Sequence, residues 1–393
     1  MERWELPKGW AWKKLKTLIT VIYGKGLSEK LRLGGNVPVY GANGVVGFHN
    51  ASITKGQTIV IGRKGSAGAV NWSEIACWPI DTTFFIDEFP EILYPKFLYQ
   101  FLRSQQIDRL QQSAAIPGLN RDVLYSVEVP IPYPDDPARS LAEQRRIVAR
   151  LEALLGEVRT LREEVQSMRR DLAQVMESAL AEVFPDPQGE VKEGWGWRKL
   201  KEIAREDSQQ IIPTDYPEQE FNYWGLDTIA KNQIEEPSPN FVLGSTIQST
   251  CVKFTKEHVL YCKLRPYLNK VVVPSLDGIG STEWIPLKPN PEIIKRSFLA
   301  FFLRSPYFLQ YATSNVAGAR MPRMSKKALK EAFVPIPYPD DPARSLAEQR
   351  RIAAYLERIA EETRAMDDLL EQDLRDLDAL EQSILAAAFR GEV

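Results

Sequence analysis

Several groups of residues in this sequence carry side chains of the right types for bond-making chemistry, and each is incomplete. Asp186, Glu190 and Lys192 spell the skeleton of a magnesium nuclease site, in which carboxylates hold a divalent cation and a lysine polarises a water. All three crowd into a linker with Pro and Gly, whereas such sites set the second carboxylate on a strand well separated from the first. Cys251, His258 and Cys262 are ligands of the kind zinc takes, but a fourth is missing and the spacing is foreign to known sites. Core cysteines on strands are the simpler account. Gly62-Arg-Lys-Gly-Ser-Ala-Gly68 is glycine-rich without the Gly-Lys-Ser/Thr order that cradles phosphates. Asn290-Pro-Glu approaches the Asn/Asp-Pro-Pro-aromatic loop of adenine methylation but lacks the second proline and the aromatic. The two histidines, His49 and His258, adjoin no obvious nucleophile or carboxylate pair. The sequence therefore assigns no catalytic residue and no metal ligand. What is left is recognition chemistry, carried by basic and amide side chains on glycine-bounded loops.

The elements that must position those loops are duplicated. Val129-Pro-Ile-Pro-Tyr-Pro-Asp-Asp-Pro-Ala-Arg-Ser-Leu-Ala-Glu-Gln-Arg-Arg-Ile147 recurs unchanged as Val334 to Ile352, at an offset of 205 that holds from Pro117/Pro322 to Phe184/Phe389. Gly9-Trp-Ala-Trp-Lys-Lys-Leu15 and Gly194-Trp-Gly-Trp-Arg-Lys-Leu200 open the two halves at an offset of 185. A repeated frame thus encloses two interiors that differ in length and sequence. The Trp pairs belong to the frame, so anchoring each module to the helices is a better role for them than stacking on bases.

After each Pro-rich run the sequence predicts a long helix. Ile147, Leu151, Leu154, Val158, Leu161, Val165, Met168, Leu172, Val175 and Ala179 alternate in steps of four and three, the seam of a coiled coil. The copy supplies Ile352, Leu356, Ile359, Thr363, Met366, Leu370, Asp373, Leu377, Leu380 and Ile384. Each helix starts just after a proline and runs about 42 residues, hence ~63 Å. A lone helix with such a stripe exposes too much apolar surface. The economical arrangement is an antiparallel pair with one module near each end. Its packing residues are Leu151, Leu154, Val158, Leu161, Val165 and Leu172 on one helix, and Leu356, Ile359, Leu370, Leu377, Leu380 and Ile384 on the other. Asp373 interrupts the seam, as a register device, a polar contact with another subunit, or a fraying or solvated position.

Between the helices the signals are mixed. Strand-like runs at 37–40, 58–61, 69–72 and 83–86 precede a helix over 95–112; runs at 220–226, 259–264 and 270–274 precede a helix over 293–305. With 393 residues, 44% hydrophobic and 26% charged, the chain is an ordinary two- or three-domain protein. No apolar run is long enough to span a membrane, the first residues do not start a signal peptide, and three cysteines without pairing suit a reducing cytoplasm. The net charge of −2 speaks against nucleic acid until it is resolved along the chain. Residues 13–128 and 198–333 carry +4 and +5, while 135–184 and 340–393 carry −2 and −7. A local basic surface attracts phosphate whatever the total.

The repeated Pro-Ile-Pro…Glu-Gln-Arg-Arg-Ile, the opening Gly-Trp-x-Trp-x-x-Leu and the closing Ser-Ile-Leu-Ala-Ala-Ala-Phe-Arg-Gly391 resemble the specificity (S) subunit of type I restriction–modification systems. Val60–Val70 and Val259–Lys270 are similar to motifs of that family's target-recognition domains. The resemblance spans essentially the whole chain. It implies an α+β protein with two mixed α/β target-recognition domains, separated by two long antiparallel coiled-coil helices in a pseudo-twofold internal repeat. The first domain takes residues 1–128 and the first Pro-rich strand and helix 129–185. The second domain takes 186–333 and its strand and helix 334–393. Implied partners are double-stranded DNA, two methyltransferase subunits docked on the helices, and restriction subunits that translocate and cut DNA. S-adenosylmethionine, ATP and magnesium are implied only in those partner subunits, and this chain is implied to be non-catalytic and cytoplasmic.

Base readout needs forked donors and acceptors on exposed loops, with arginine for guanine and asparagine for adenine. In the first module that selects Asn43, Arg63, Lys64 and Ser66; in the second, Lys263, Arg265, Tyr267, Asn269, Lys270, Arg320 and Arg323. Each is a loop residue whose other reading is plain solvation. Differing modules imply a bipartite, asymmetric target whose gap the helix pair fixes. A rival class is a coiled-coil scaffold or RNA-binding adaptor, and a third is a specificity subunit serving a methyltransferase without restriction. Adjacency to methyltransferase and helicase–nuclease genes separates the first two.

Overall fold

Each module is closed at its base by a two-stranded antiparallel ribbon built from the duplicated frame. Strand Trp10–Lys14 pairs with Glu128–Pro132, Trp10 opposite Pro132 and Lys14 opposite Glu128. Strand Trp195–Lys199 pairs with Phe333–Pro337 in the same register. A ribbon with no further neighbour is where prolines, which cannot donate to a ladder, are tolerated. Glycine is required at the entry. The Gly9 and Gly194 carbonyls accept from the Tyr133 and Tyr338 N–H groups at 2.9 and 2.6 Å. Both glycines sit at positive φ (+89° and +80°), and a Cβ on either would fall 2.6–2.7 Å from the tyrosine ring. The computed structural model describes residues 4–105, 107, 118–187, 189, 192–318 and 320–393.

Inside the ribbons, sequences that share little build the same frame. The first module holds a four-stranded sheet in the order Ile22–Tyr23, Thr83–Ile86, Thr58–Gly62, Val70–Ser73. The second repeats it as Ala204–Glu206, Trp284–Pro289, Val259–Cys262, Val271–Val272. In the other sheet, Val37–Gly41 lies between antiparallel Gly44–His49 and parallel Trp78–Pro79, as Glu220–Trp224 lies between antiparallel Phe241–Leu243 and parallel Gly278–Ser281. The second module adds Cys251–Phe254 and Gln210–Ile211 beyond Gly278–Ser281. A helix then covers each four-stranded sheet. Pro95–Ser104 buries Phe97, Leu98, Phe101 and Leu102 completely. Arg296–Arg304 buries Phe298, Leu299, Phe302 and Leu303. Both begin or end short of the expected limits, and the expected helical positions 106 and 108–112 lie outside the described residues.

The long helices span Pro137–Val183 and Pro342–Arg390, 47 and 49 residues. They start at the proline itself, the first helical position, where its missing N–H costs nothing. Asp136 and Asp341 cap them, their carboxylates accepting from the Arg139 and Arg344 N–H groups at 3.1 Å. Gln144 and Gln349, both with no exposed surface, tie each helix to its own module. The Gln144 amide accepts from Tyr94 N–H (2.8 Å) and donates to the Ile92 carbonyl (2.8 Å) and the Ser140 hydroxyl. Gln349 does the same with Lys295, Ile293 and Ser345. Gly391, at φ +79°, ends the second helix with Gly391 N–H and Glu392 N–H bonded to the Ala388 and Ala387 carbonyls. A Cβ there would meet Pro7 at 2.5 Å.

Two compact units result, residues 1–165 with 372–393, and residues 166–371, so both helices pass from one unit to the other. In the first unit the helix segments run antiparallel: Arg146 donates to the Val393 carbonyl while Arg162 pairs with Asp378 and Glu381. The second helix ends by packing Phe389 edge-on against Phe97 and Phe101. In the second unit Phe184 packs likewise on Phe298 and Phe302, and Arg169 forms a forked pair with Asp367. Leu151, Val158, Leu356 and Leu370 are buried on the seam; Leu154, Val165, Leu172, Ile359, Leu377 and Ile384 are half-buried. Leu161 and Leu380 correct the seam expectation, standing 47% and 44% exposed. At that level Arg162, Asp378 and Glu381 bridge the helices by charge. Asp373 is exposed.

Glu206 holds the first strand of the second module's sheet to the short helix Lys326–Glu331. Burial pushes its carboxyl up, but Lys326, Lys330 and Ser208 hydrogen-bond it and bring it down to about 2. A depressed carboxyl stabilises the fold above its ordinary value of 4.5, and that stability is lost as pH falls from there toward 2. Thermal unfolding at pH 7 and pH 3 is expected to show a smaller acid loss for Glu206→Gln than for the parent chain. An unchanged loss would place the acid sensitivity elsewhere. Gln144→Leu leaves the Ile92 carbonyl and Tyr94 N–H without their partners beside a buried side chain. It is expected to destabilise by roughly 2–4 kcal/mol in denaturant unfolding, and Gln349→Leu by as much. Losses under about 1 kcal/mol would mean that other contacts hold the helix to the module.

Candidate nucleic-acid interface

In the first module the turn after strand Thr58–Gly62 is folded back by its glycines. Gly62 N–H donates to the Ala69 carbonyl and Gly68 N–H to that of Gly62, both at 2.8 Å, and Gly65 at the tip has φ +75°. A Cβ on Gly62 would lie 2.1 Å from the Ser66 carbonyl. Lys64 and Ser66 are thereby exposed at the tip, and Arg63 is half-buried at its base. The same Cβ position lies 3.0 Å from the Ala42 carbonyl, which also accepts from the Asn71 amide at 3.3 Å. The hairpin tip bearing exposed Asn43 therefore sits beside the Arg63 turn. All four expected residues of this module share one edge.

Sequence reasoning missed two residues at that edge. Tyr23, 47% exposed, has the Arg63 guanidinium 5.3 Å and the Arg121 guanidinium 5.1 Å from its ring centroid. The Leu119 N–H, donating to the Arg63 carbonyl at 2.8 Å, brings the segment carrying Arg121 to the turn. The available signal was slight: an aromatic before Gly24-Lys-Gly26, and an arginine opening a one-turn helix at Arg121–Ser126.

The second module places its loops equivalently. Met324 N–H donates to the Lys263 carbonyl at 2.9 Å, the counterpart of Leu119 and Arg63, and Arg265 N–H donates to the Pro322 carbonyl. The expected residues divide here. Arg265, Tyr267 and Arg320 are exposed, with Arg265 and Asn269 held at φ near +50° around the turn Pro266–Leu268. The others have internal work. Lys263 donates to the Thr282 carbonyl at 2.7 Å and lies 3.7 Å from Glu283. Arg323 makes a forked pair with Glu283 at 2.8–3.1 Å. Lys270 donates to the Leu226 carbonyl at 2.6 Å, and the Asn269 amide to the Arg304 carbonyl at 3.1 Å. Arg304 itself is buried, which lowers it to about 9, and it donates to the Gln233, Ile234 and Val271 carbonyls.

The residues weighed for bond-making chemistry have structural tasks. Cys251 and Cys262 lie in separate core clusters, and burial raises the Cys262 thiol to about 11. His258 accepts from the Thr255 N–H at 2.9 Å, and His49 from that of Leu33 at 3.2 Å. Asn290 accepts from the Glu292 N–H. Lys192 donates to the Glu182 and Val183 carbonyls, covering the end of the first long helix. Glu190 lies outside the described residues. Among the described residues no group of three or more His, Cys, Asp or Glu is placed to hold a metal ion, and no helix is long and apolar enough to cross a membrane. The edges of the two modules thus present hydrogen-bond donors and aromatic faces.

Comparison with known proteins agrees with this arrangement. The chain is 23% identical to the EcoDI type I restriction enzyme specificity subunit of Escherichia coli, over 100% of this chain and 90% of that one. To the EcoBI specificity subunit, also of Escherichia coli, it is 21% identical over 86% and 74%. Its fold matches a chain from a structure of complex assembly and conformational transition in the type I R-M system, with a TM-score of 0.77, 22% identity and full coverage of both chains. It also matches the HsdS subunit from Thermoanaerobacter tengcongensis, with a TM-score of 0.56, 23% identity and 99% coverage of each. The family model for the type I restriction modification DNA specificity domain matches twice, over residues 7–166 and 192–372. Two matches that take in both modules and most of both long helices place the chain in the type I restriction–modification DNA-specificity family.

Proposed function

We propose that this chain reads a bipartite, asymmetric DNA target for a type I restriction–modification complex, one half-site per module. The observation that carries the reading is the pair of matching sheet frames, closed by matching ribbons, whose loops differ: exposed Asn43, Lys64 and Ser66 over half-buried Arg63 on one, exposed Arg265, Tyr267 and Arg320 on the other. Identical tips would suit a palindrome, and different tips suit two unlike half-sites. Arg323, Lys263, Asn269 and Lys270 serve this reading by shaping the second module's loops through their bonds to Glu283 and to the Thr282, Arg304 and Leu226 carbonyls. A coiled-coil scaffold would not need two sheet frames that converge on donor-rich loops.

The chain supplies recognition, and the chemistry belongs to its partners. Two methyltransferase subunits, holding S-adenosylmethionine, dock on the long helices, and restriction subunits bring ATP- and magnesium-dependent translocation and cleavage. The complex works on cytoplasmic DNA. Leu161, Met168, Val175 and Met366, each 41–55% exposed on the long helices, offer apolar surface to helices of a partner.

Methylation mapping of DNA from cells expressing the chain with its methyltransferase is expected to return one motif of two unlike half-sites and a fixed gap. No motif, with both subunits soluble and associated, would favour the scaffold. Insertion of one heptad into each long helix adds about 10.5 Å and is expected to lengthen the gap by about three base pairs. Both half-sites should survive; a changed half-site would separate the helices from the setting of the gap.

A further inference from the structure

Around Tyr23 the first module holds two guanidinium groups that no acid among the described residues neutralises. Tyr23 lies at the edge of the four-stranded sheet, opposite Phe84 in register and 4.9 Å from it ring to ring. Arg63 is within 5.3 Å of the Tyr23 ring and 6.0 Å of Phe84; Arg121 is within 5.1 Å of Tyr23 and 5.8 Å of Tyr125. Tyr125 is fixed in turn, its hydroxyl accepting from the Val21 N–H at 3.0 Å. Among the described residues neither guanidinium has a carboxylate partner, and the Arg121 Nε, shielded from solvent, has no hydrogen-bond partner.

The equivalent place in the second module is built the other way. Arg323 and Lys263 are neutralised by Glu283, and Lys326 and Lys330 by Glu206. The difference matters because an aromatic face orients a guanidinium plane without occupying its N–H edge, whereas a carboxylate occupies that edge. A contact to phosphate needs charge more than a fixed plane, and exposed Lys64 already supplies charge at the tip. A fixed plane has its use against a planar, rigid pair of acceptors, which is what O6 and N7 of guanine present in the major groove.

We infer that Arg63 and Arg121 read guanine in the first half-site and that Tyr23 is the residue that positions them. The inference rests on the chain being a DNA-specificity subunit. Arg63→Lys and Arg121→Lys keep the charge and remove the fork; Tyr23→Leu removes the aromatic face, and Tyr23→Phe keeps it. Each variant, as the full chain with its methyltransferase, is tested by mapping methylated motifs. The lysine variants and Tyr23→Leu are expected to lose discrimination at a guanine of the first half-site by on the order of 10- to 100-fold. The second half-site should be unchanged, which also reports that the chain is folded, and Tyr23→Phe should behave as the parent. An unchanged motif, with the salt slope of DNA binding reduced by about 1 in Arg63→Ala or Arg121→Ala, would make these phosphate contacts and overturn the inference. Loss of both half-sites together in the lysine variants would make the arginines supports of the fold, and overturn it equally. A parent chain that yields no two-part motif would instead remove the reading beneath it.

Discussion

The structure depends on one buried amide used twice. Gln144 and Gln349 each give a donor and an acceptor to the loop that leads into the helix over a module's sheet, from a position with no exposed surface. A buried amide that is fully bonded stabilises modestly, but one that loses its partners costs the whole of its desolvation. That asymmetry makes the contact specific. It fixes which turn of the long helix meets the module and fixes the helix's direction of departure, because Asp136 and Asp341 cap the same helices two turns earlier. An apolar residue in that position would pack equally well with the helix slipped by a turn.

Module closure has the complementary consequence. Since Trp10–Lys14 pairs with Glu128–Pro132, and Trp195–Lys199 with Phe333–Pro337, each interior begins and ends on one ribbon. The chain between can then change without disturbing the helices, provided it returns to the ribbon and offers a loop to the glutamine. The second module uses that freedom to add two strands at the edge of one sheet. The aromatic ends of the long helices, Phe184 and Phe389, complete the cores of modules other than those from which their helices start. The first compact unit is therefore made of two stretches of chain, residues 1–165 and 372–393.

Much of this was legible in the sequence because repetition and period survive translation into structure. The 205-residue offset marked Gln144/Gln349 and Phe184/Phe389 as equivalent, and the four-three spacing gave both long helices. What escaped had a physical reason. Leu161 and Leu380 lie on the expected seam but face outward, because apolar spacing does not report that Arg162 reaches Asp378 and Glu381 across the same level. The common sheet frame was hidden because strands of two to six residues tolerate many sequences once a helix covers them. At the candidate DNA-facing edge, the sequence displayed Arg63, Lys263 and Arg323 as alike. Their partners, Tyr23 in one case and Glu283 in the others, come from distant positions that only the fold brings near.

That last difference bears on how one frame can serve two half-sites. Charge alone would give both modules the same affinity for any duplex, since phosphate attraction carries no sequence. Discrimination begins when a donor is held in one orientation, and there are two ways to hold a cation. A carboxylate fixes it by occupying its hydrogen bonds, as Glu283 does for Arg323 and Lys263. An aromatic ring fixes it and leaves the bonds free, as Tyr23 does for Arg63 and Arg121. The modules therefore diverge in what they present, while the sheet positions that present it stay the same.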